Sequence, residues 1–128
     1  MNISKFTQKS VQAVQDLEKV AYEYGNQEVE QEHLLYALLT QEDSLILKLI
    51  EKMEINKDYF INTVKKALDA KVKVSGGDLR FGQYLNKSLV NAENEAKAMG
   101  DEYVSVEHLF LSLLTQPSPS MKKIFNEF

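Results

Sequence analysis

The sequence contains no cysteine and a single arginine, Arg80, and no stretch of it approaches the length of an apolar membrane span. Without cysteine there is no disulfide framework, no thiol nucleophile and no sulfur metal site. With one arginine among scattered lysines and a net charge of −4, a phosphate-tracking basic face is not expected, so nucleic acid is not an expected partner. The opening MNISKFTQKS is polar and lacks the apolar run of a signal peptide. No membrane partner is therefore expected, and the cytoplasm is the default compartment. The 128 residues suffice for one domain with a real core.

What the chain does contain is the same phrase twice. GNQEVEQEHLLYALLTQ begins at Gly25 and GDEYVSVEHLFLSLLTQ at Gly100, an offset of 75 that pairs Val29 with Val104, Glu32 with Glu107 and His33 with His108. Upstream, Val14, Leu17, Ala21 and Tyr24 form a stripe at spacings of three and four, answered by Leu89, Ala92, Ala96 and Met99. Downstream, Ile46, Leu49, Ile50 and Met53 are answered by Met121, Ile124, Phe125 and Phe128. Each set lines one face of a helix with 3.6 residues per turn, so whole helices are duplicated.

Capping signals divide these helices. Thr7 is placed to cap the first, with Phe6 and Val11 spaced as a hydrophobic staple. Gly25 and Gly100 end the first helix of each copy as left-handed caps. Glu30 and Ser105 stand where the second helices begin, Ser44 and Ser120 where the third ones begin, and Asn56 opens a fourth over KDYFINTVKKALD. The expected fold is all-α, built as two pseudo-symmetric repeats. Repeat 1 covers about 1–70, a linker about 71–80 and repeat 2 about 81–128. The second copy ends at Phe128, the counterpart of Met53, so it lacks its last helix. A truncated unit with an exposed apolar patch at the missing helix's seat is expected.

Candidate chemistry is sparse. Glu32 and Glu107 fall in first helical turns, where a carboxylate is favoured by the helix dipole. His33 and His108 follow, and an imidazole packed on the helix start with bonds to backbone competes with a metal site or general base. HExxH spacing is absent, and no cysteine can complete a site. Gly77 and Gly82 have the glycine spacing of a phosphate loop, but Gln83 and Tyr84 replace the Lys and Ser/Thr such a loop requires. Asp101, Glu102 and Glu107 cluster near a helix start, yet nothing in the sequence marks a pocket to separate their pKa values. No enzyme is expected.

Phe6-Thr7 near the start, the V-x-x-E-H-L strings at Val29 and Val104, SGGD and GDEYVSVEHLFLSLL together resemble the N-terminal Clp repeat domain of the Clp AAA+ chaperones. Within that family they are most similar to the ClpB disaggregases, over essentially the whole chain. The resemblance implies a substrate-docking module ahead of an ATP-driven threading ring, engaging unfolded or aggregated polypeptides and in some relatives adaptor or co-chaperone proteins. It implies a hexameric ring for the full-length protein and a monomer for this segment. No cofactor is implied here, since ATP and Mg belong to ATPase modules that this chain does not contain. The alternative implied is an adaptor-docking domain of a ClpA/ClpC-type unfoldase. Carried over residue by residue, the resemblance makes Thr7, Asp101 and Glu107 a polar set affecting substrate handling and Leu89 an apolar groove residue. His108 stands where some relatives carry Leu. Thr7, Asp101 and Glu107 also fit plain capping and dipole roles, and Leu89 fits plain core.

Overall fold

The computed structural model describes residues 3–128. Thr7 turns the chain into its first helix: its Oγ1 accepts a hydrogen bond from Ser10 N at 3.2 Å, satisfying one of the first-turn amides. Helix α1 (Gln8–Glu23) is followed by a two-residue strand β1 (Glu28–Val29) and by α2 (Gln31–Leu39), α3 (Leu45–Lys52) and α4 (Lys57–Asp69). A second strand β2 (Arg80–Phe81) leads into α5 (Gln83–Ala98), α6 (Val106–Thr115) and α7 (Pro119–Asn126).

The duplication is visible in the helix ends. Gly25 and Gly100 adopt left-handed φ values of 70° and 72°, a conformation glycine reaches without Cβ strain. The next amide then turns back to close the helix in both units: Asn26 N donates to Ala21 O at 2.9 Å and Asp101 N to Ala96 O at 2.9 Å. The third helices depart from the expected registration. Ser118 caps α7, its hydroxyl accepting from Met121 N at 3.2 Å; Ser120 lies inside that helix. Pro119 occupies the first turn, where the missing amide and fixed φ of proline suit a helix start, and the cap moves one residue toward the N-terminus.

Two short backbone pairings tie the units together, and periodicity does not reveal either of them. Val29 pairs with Phe81 in parallel, and Phe6 makes an isolated parallel bridge with Val104. The residue before the cap of each first helix thus meets the residue before the cap of the other unit's second helix. Thr7 N donates to Val104 O at 3.0 Å and Gly82 N to Val29 O at 2.8 Å. This reciprocity is the pseudo-twofold relation expressed in hydrogen bonds.

The core forms where α1 packs on α2, α5 on α6, and α2 on α6. Leu34, Leu35, Leu38 and Leu39 of α2 are all sealed from solvent, each contributing roughly 1.5–3 kcal/mol relative to an exposed side chain. Helix α4 lies over α2 and also touches α3 and α7. Among the described residues the second unit has no counterpart of α4. The segment after α4 is anchored at its start, because Val74 N donates to Gly25 O at 2.9 Å and Asn26 Nδ2 to Val72 O at 3.1 Å.

Candidate functional site

Both histidines occupy the third position of a helix, and both use two ring nitrogens for protein partners. His33 Nδ1 accepts from Glu30 N at 2.9 Å and its Nε2 meets Asn26 Oδ1 at 3.0 Å. His108 repeats this with Ser105 N at 2.9 Å and Asp101 Oδ2 at 2.9 Å. The imidazole therefore takes the part that Glu or Gln plays in a capping box, tying the helix start to the preceding turn. With both nitrogens engaged, neither ring is presented as a metal ligand or general base. Among the described residues no cluster of three or more His, Asp or Glu side chains has metal-site geometry. Burial, with the Lys71 charge, pushes His33 down to about 4, so it is neutral at physiological pH.

The two glutamates before these histidines have opposite fates. Glu32 is buried, its carboxylate 2.9 Å from Lys71 Nζ and accepting from Ser120 Oγ at 2.8 Å. Lys71 also reaches Glu30 Oε2 at 2.6 Å. Burial pulls the Lys71 ammonium down, and the Glu30 and Glu32 carboxylates beside it overcome that pull, holding it above the usual lysine value. Glu107 is exposed and, among the described residues, has no cation within ion-pair distance. The chain after α4 supplies Lys71 to the first unit, and among the described residues no ion pair is made to Glu107.

Among the described residues an apolar groove lies along the seam between α3 and α6. A depression of about 300 Å³ lies between Leu49 of α3, with Met53 at that helix's C-terminal cap, and Phe110, Leu111 and Leu114 of α6, and Met99, Glu107 and His108 also line it. Leu114 is 42% exposed, whereas Leu39, its counterpart under α4, is 1% exposed. Met53 and Met99 are more than half exposed as well. Around Glu107 the groove gives way to a second depression of about 430 Å³, lined by Thr7, Lys9, Gln41, Asp43 and Leu45 among others. A larger cleft of about 870 Å³ lies between α4 and α7, where Tyr59, Ala67 and Ile124 share the wall with Glu32, Lys66, Lys71, Lys123 and Glu127.

The residues singled out from sequence are distributed unevenly over these features. Thr7 and Glu107 come together in the second depression, and Glu107 and His108 edge the apolar groove. Asp101 stands outside both linings and orients His108. Leu89 is 2% exposed, in the core of the α5–α6 pair, and offers no surface to a visitor. The hydroxyl of Thr7 is engaged with the first turn of α1. Sequence reasoning did not single out Leu49, Met53, Met99, Leu111 and Leu114 as binding residues. The available signal was the repeat itself, since Met99 and Leu114 answer Tyr24, which Lys73 covers, and Leu39, which is buried.

A family model for the Clp repeat (R) N-terminal domain matches residues 5–128. The chain belongs to this family. The chaperone protein ClpB of Nitratidesulfovibrio vulgaris is 39% identical over 134 aligned residues, which cover 100% of this chain and 16% of that protein. The chain thus spans a small part of the length of the curated relatives it matches. Among solved structures, the Hsp104 N-terminal domain from Candida albicans superposes with a TM-score of 0.86 at 22% identity, covering 97% of this chain and 81% of that one. A ClpV N-domain in complex with a VipB peptide superposes with a TM-score of 0.73 at 20% identity, covering 97% and 79%. These Clp N-domains share the helical fold. In this Clp repeat domain, the duplicated histidines are accounted for by helix capping.

Proposed function

We propose that this domain docks unfolded or aggregated polypeptide in the seam groove between α3 and α6, on behalf of a larger ClpB-type chaperone. The observation that carries the reading is the exposure of Leu114, Met99 and Met53 around one depression drawn from both repeats. An exposed apolar patch with a polar edge is the surface that recognises the apolar segments a folded protein hides. The ClpB relative and the ClpV domain with its VipB peptide support polypeptide as the partner class. A shallow groove that orders a mobile chain binds it weakly and with little sequence choice. In the whole protein, such docking would feed an ATP-driven ring, hexameric as in the resembled family.

The test is a methyl and amide chemical-shift titration with a permanently unfolded protein and with its native form. Shifts gathered at Met53, Met99, Leu111 and Leu114 with the unfolded form alone are expected. Equal, negligible responses to both at high concentration, or shifts confined to another face, would overturn the reading. A folded adaptor is the second candidate, favoured by the second depression, where the charged side chains of Lys9, Asp43 and Glu107 stand around Leu45 and Val106. It requires capture of a single folded partner whose binding depends on those side chains.

A further inference from the structure

We infer that the surface joining the two units also fits a second copy of this chain, so that α1–α4 of one molecule can pair with α5–α7 of another. The turn at Gly76 and Gly77 is the device that keeps this pairing within one molecule. The units meet where α2 and α1 pack on α6, α2 on α5 and α3 on α6, and each backbone bridge joins an element of one unit to an element of the other. None of these contacts depends on which chain supplies the second unit. An interface of that kind, joined through one short connection, is the condition for exchange of halves between copies.

Both ends of that connection are fastened to one short stretch of the first unit. Val74 N donates to Gly25 O and Arg80 N to Gln27 O, each at 2.9 Å, so the residues between them run out and return. The reversal falls at Gly76 and Gly77, with φ of 78° and 87°, a left-handed pair that residues with a Cβ adopt only under strain. Ser75, Gly76, Gly77 and Asp78 are exposed, so opening the turn gives up little buried surface. Once it is open, Val74 keeps its own Gly25 while Arg80 pairs with Gln27 of the other copy.

Gln31 selects the partner. Buried in α2, it donates from Nε2 to Ser88 Oγ at 2.7 Å and to Gln116 O at 3.0 Å, and its Oε1 accepts from Ser118 N at 2.8 Å. All three partners belong to the second unit. The offset of 75 puts Ala13, which has no hydroxyl, in the first unit where Ser88 stands in the second. A first unit facing another first unit would therefore bury the Gln31 amide with a hydrogen bond missing. First units are thus directed to second units, and two chains satisfy each other completely, which closes the assembly as a twofold dimer.

The test replaces the turn. In the parent the second unit is tethered at an effective concentration on the order of millimolar, so at micromolar concentration the chain should elute at its monomer mass of 14.7 kDa. Gly76→Val combined with Gly77→Val sets two β-branched residues at left-handed φ and should give elution at twice that mass. Lys5 and Glu102, 4.0 Å apart across the units and both exposed, report the route. Carbodiimide joins the amine to the carboxylate, and 15N-labelled and unlabelled chains refolded together should yield links between labelled and unlabelled peptides. A variant that folds and stays monomeric overturns the inference. So does a dimer whose Lys5–Glu102 links always carry one label on both sides, which would assign association to an outer face. Should the variant not fold, the parent refolded as the same mixture at millimolar concentration, where a copy competes with the tethered unit, decides instead. Mixed-label links there support exchange, and single-label links alone overturn it. The docking reading survives either result, because both arrangements build the α3–α6 groove from one first unit and one second unit.

Discussion

His108 holds Asp101 through a 2.9 Å contact between Nε2 and Oδ2, while the equivalent His33 meets the neutral Asn26 at 3.0 Å. One geometry thus serves a charged and an uncharged partner. Replacing Asp101 by Asn should preserve the bond, as the first unit already does, and leave stability within about 0.5 kcal/mol. Asp101→Ala should cost about 1–3 kcal/mol, because the buried His108 ring then loses the acceptor for its N–H. Chemical denaturation of the two variants separates these outcomes.

The buried His33 makes stability depend on pH. Its folded pKa of about 4 lies below the ordinary 6.5, so between these values the unfolded chain binds the extra proton. The contribution is therefore fully present above pH 6.5 and lost as pH falls toward 4. The loss should amount to roughly 3 kcal/mol at most. Denaturation midpoints measured across that window should fall in the parent and flatten in His33→Gln, in which a neutral amide cannot titrate.

Lys71 and Glu32 form a buried pair, and removing one partner should expose the cost of the other. Lys71→Met is expected to destabilise by about 3 kcal/mol or more, and Lys71→Met combined with Glu32→Gln should recover much of it. Glu107→Gln, the corresponding change in the uncovered unit, should move stability by less than about 0.5 kcal/mol. Thermal and urea unfolding of the three variants tests this asymmetry.

Core and groove leucines should divide cleanly. Leu89→Ala is expected to cost about 2–5 kcal/mol through lost burial and a residual cavity, weakening client binding only as far as folding fails. Leu114→Ser removes an exposed side chain, so the fold should survive while binding of an unfolded client drops several-fold. Parallel unfolding curves and client titrations at a temperature where both variants are folded distinguish the two roles.

The sequence by itself determined the all-α class, the doubling, and most helix ends. Amphipathic spacing and local caps act within a turn or two of their own position. Thr7, Ser44 and Asn56 cap from their own loops, and Gly25 and Gly100 reverse the chain in a way that is written locally. The slip from Ser120 to Ser118 shows the limit of copying one repeat onto the other, because Pro119 changed the local start.

Only the tertiary structure decided which of two identical signals became core and which became surface. Glu32 and Glu107 occur in nearly the same words, yet one lies under Lys71 and the other faces solvent. Leu39 and Leu114 part in the same way. Burial is set by what arrives from elsewhere in the chain, and α4 covers one unit without covering its twin. The reciprocal pairings of Phe6 with Val104 and Val29 with Phe81 are likewise long-range, too short to leave a period in the sequence and fixed only when the two units meet.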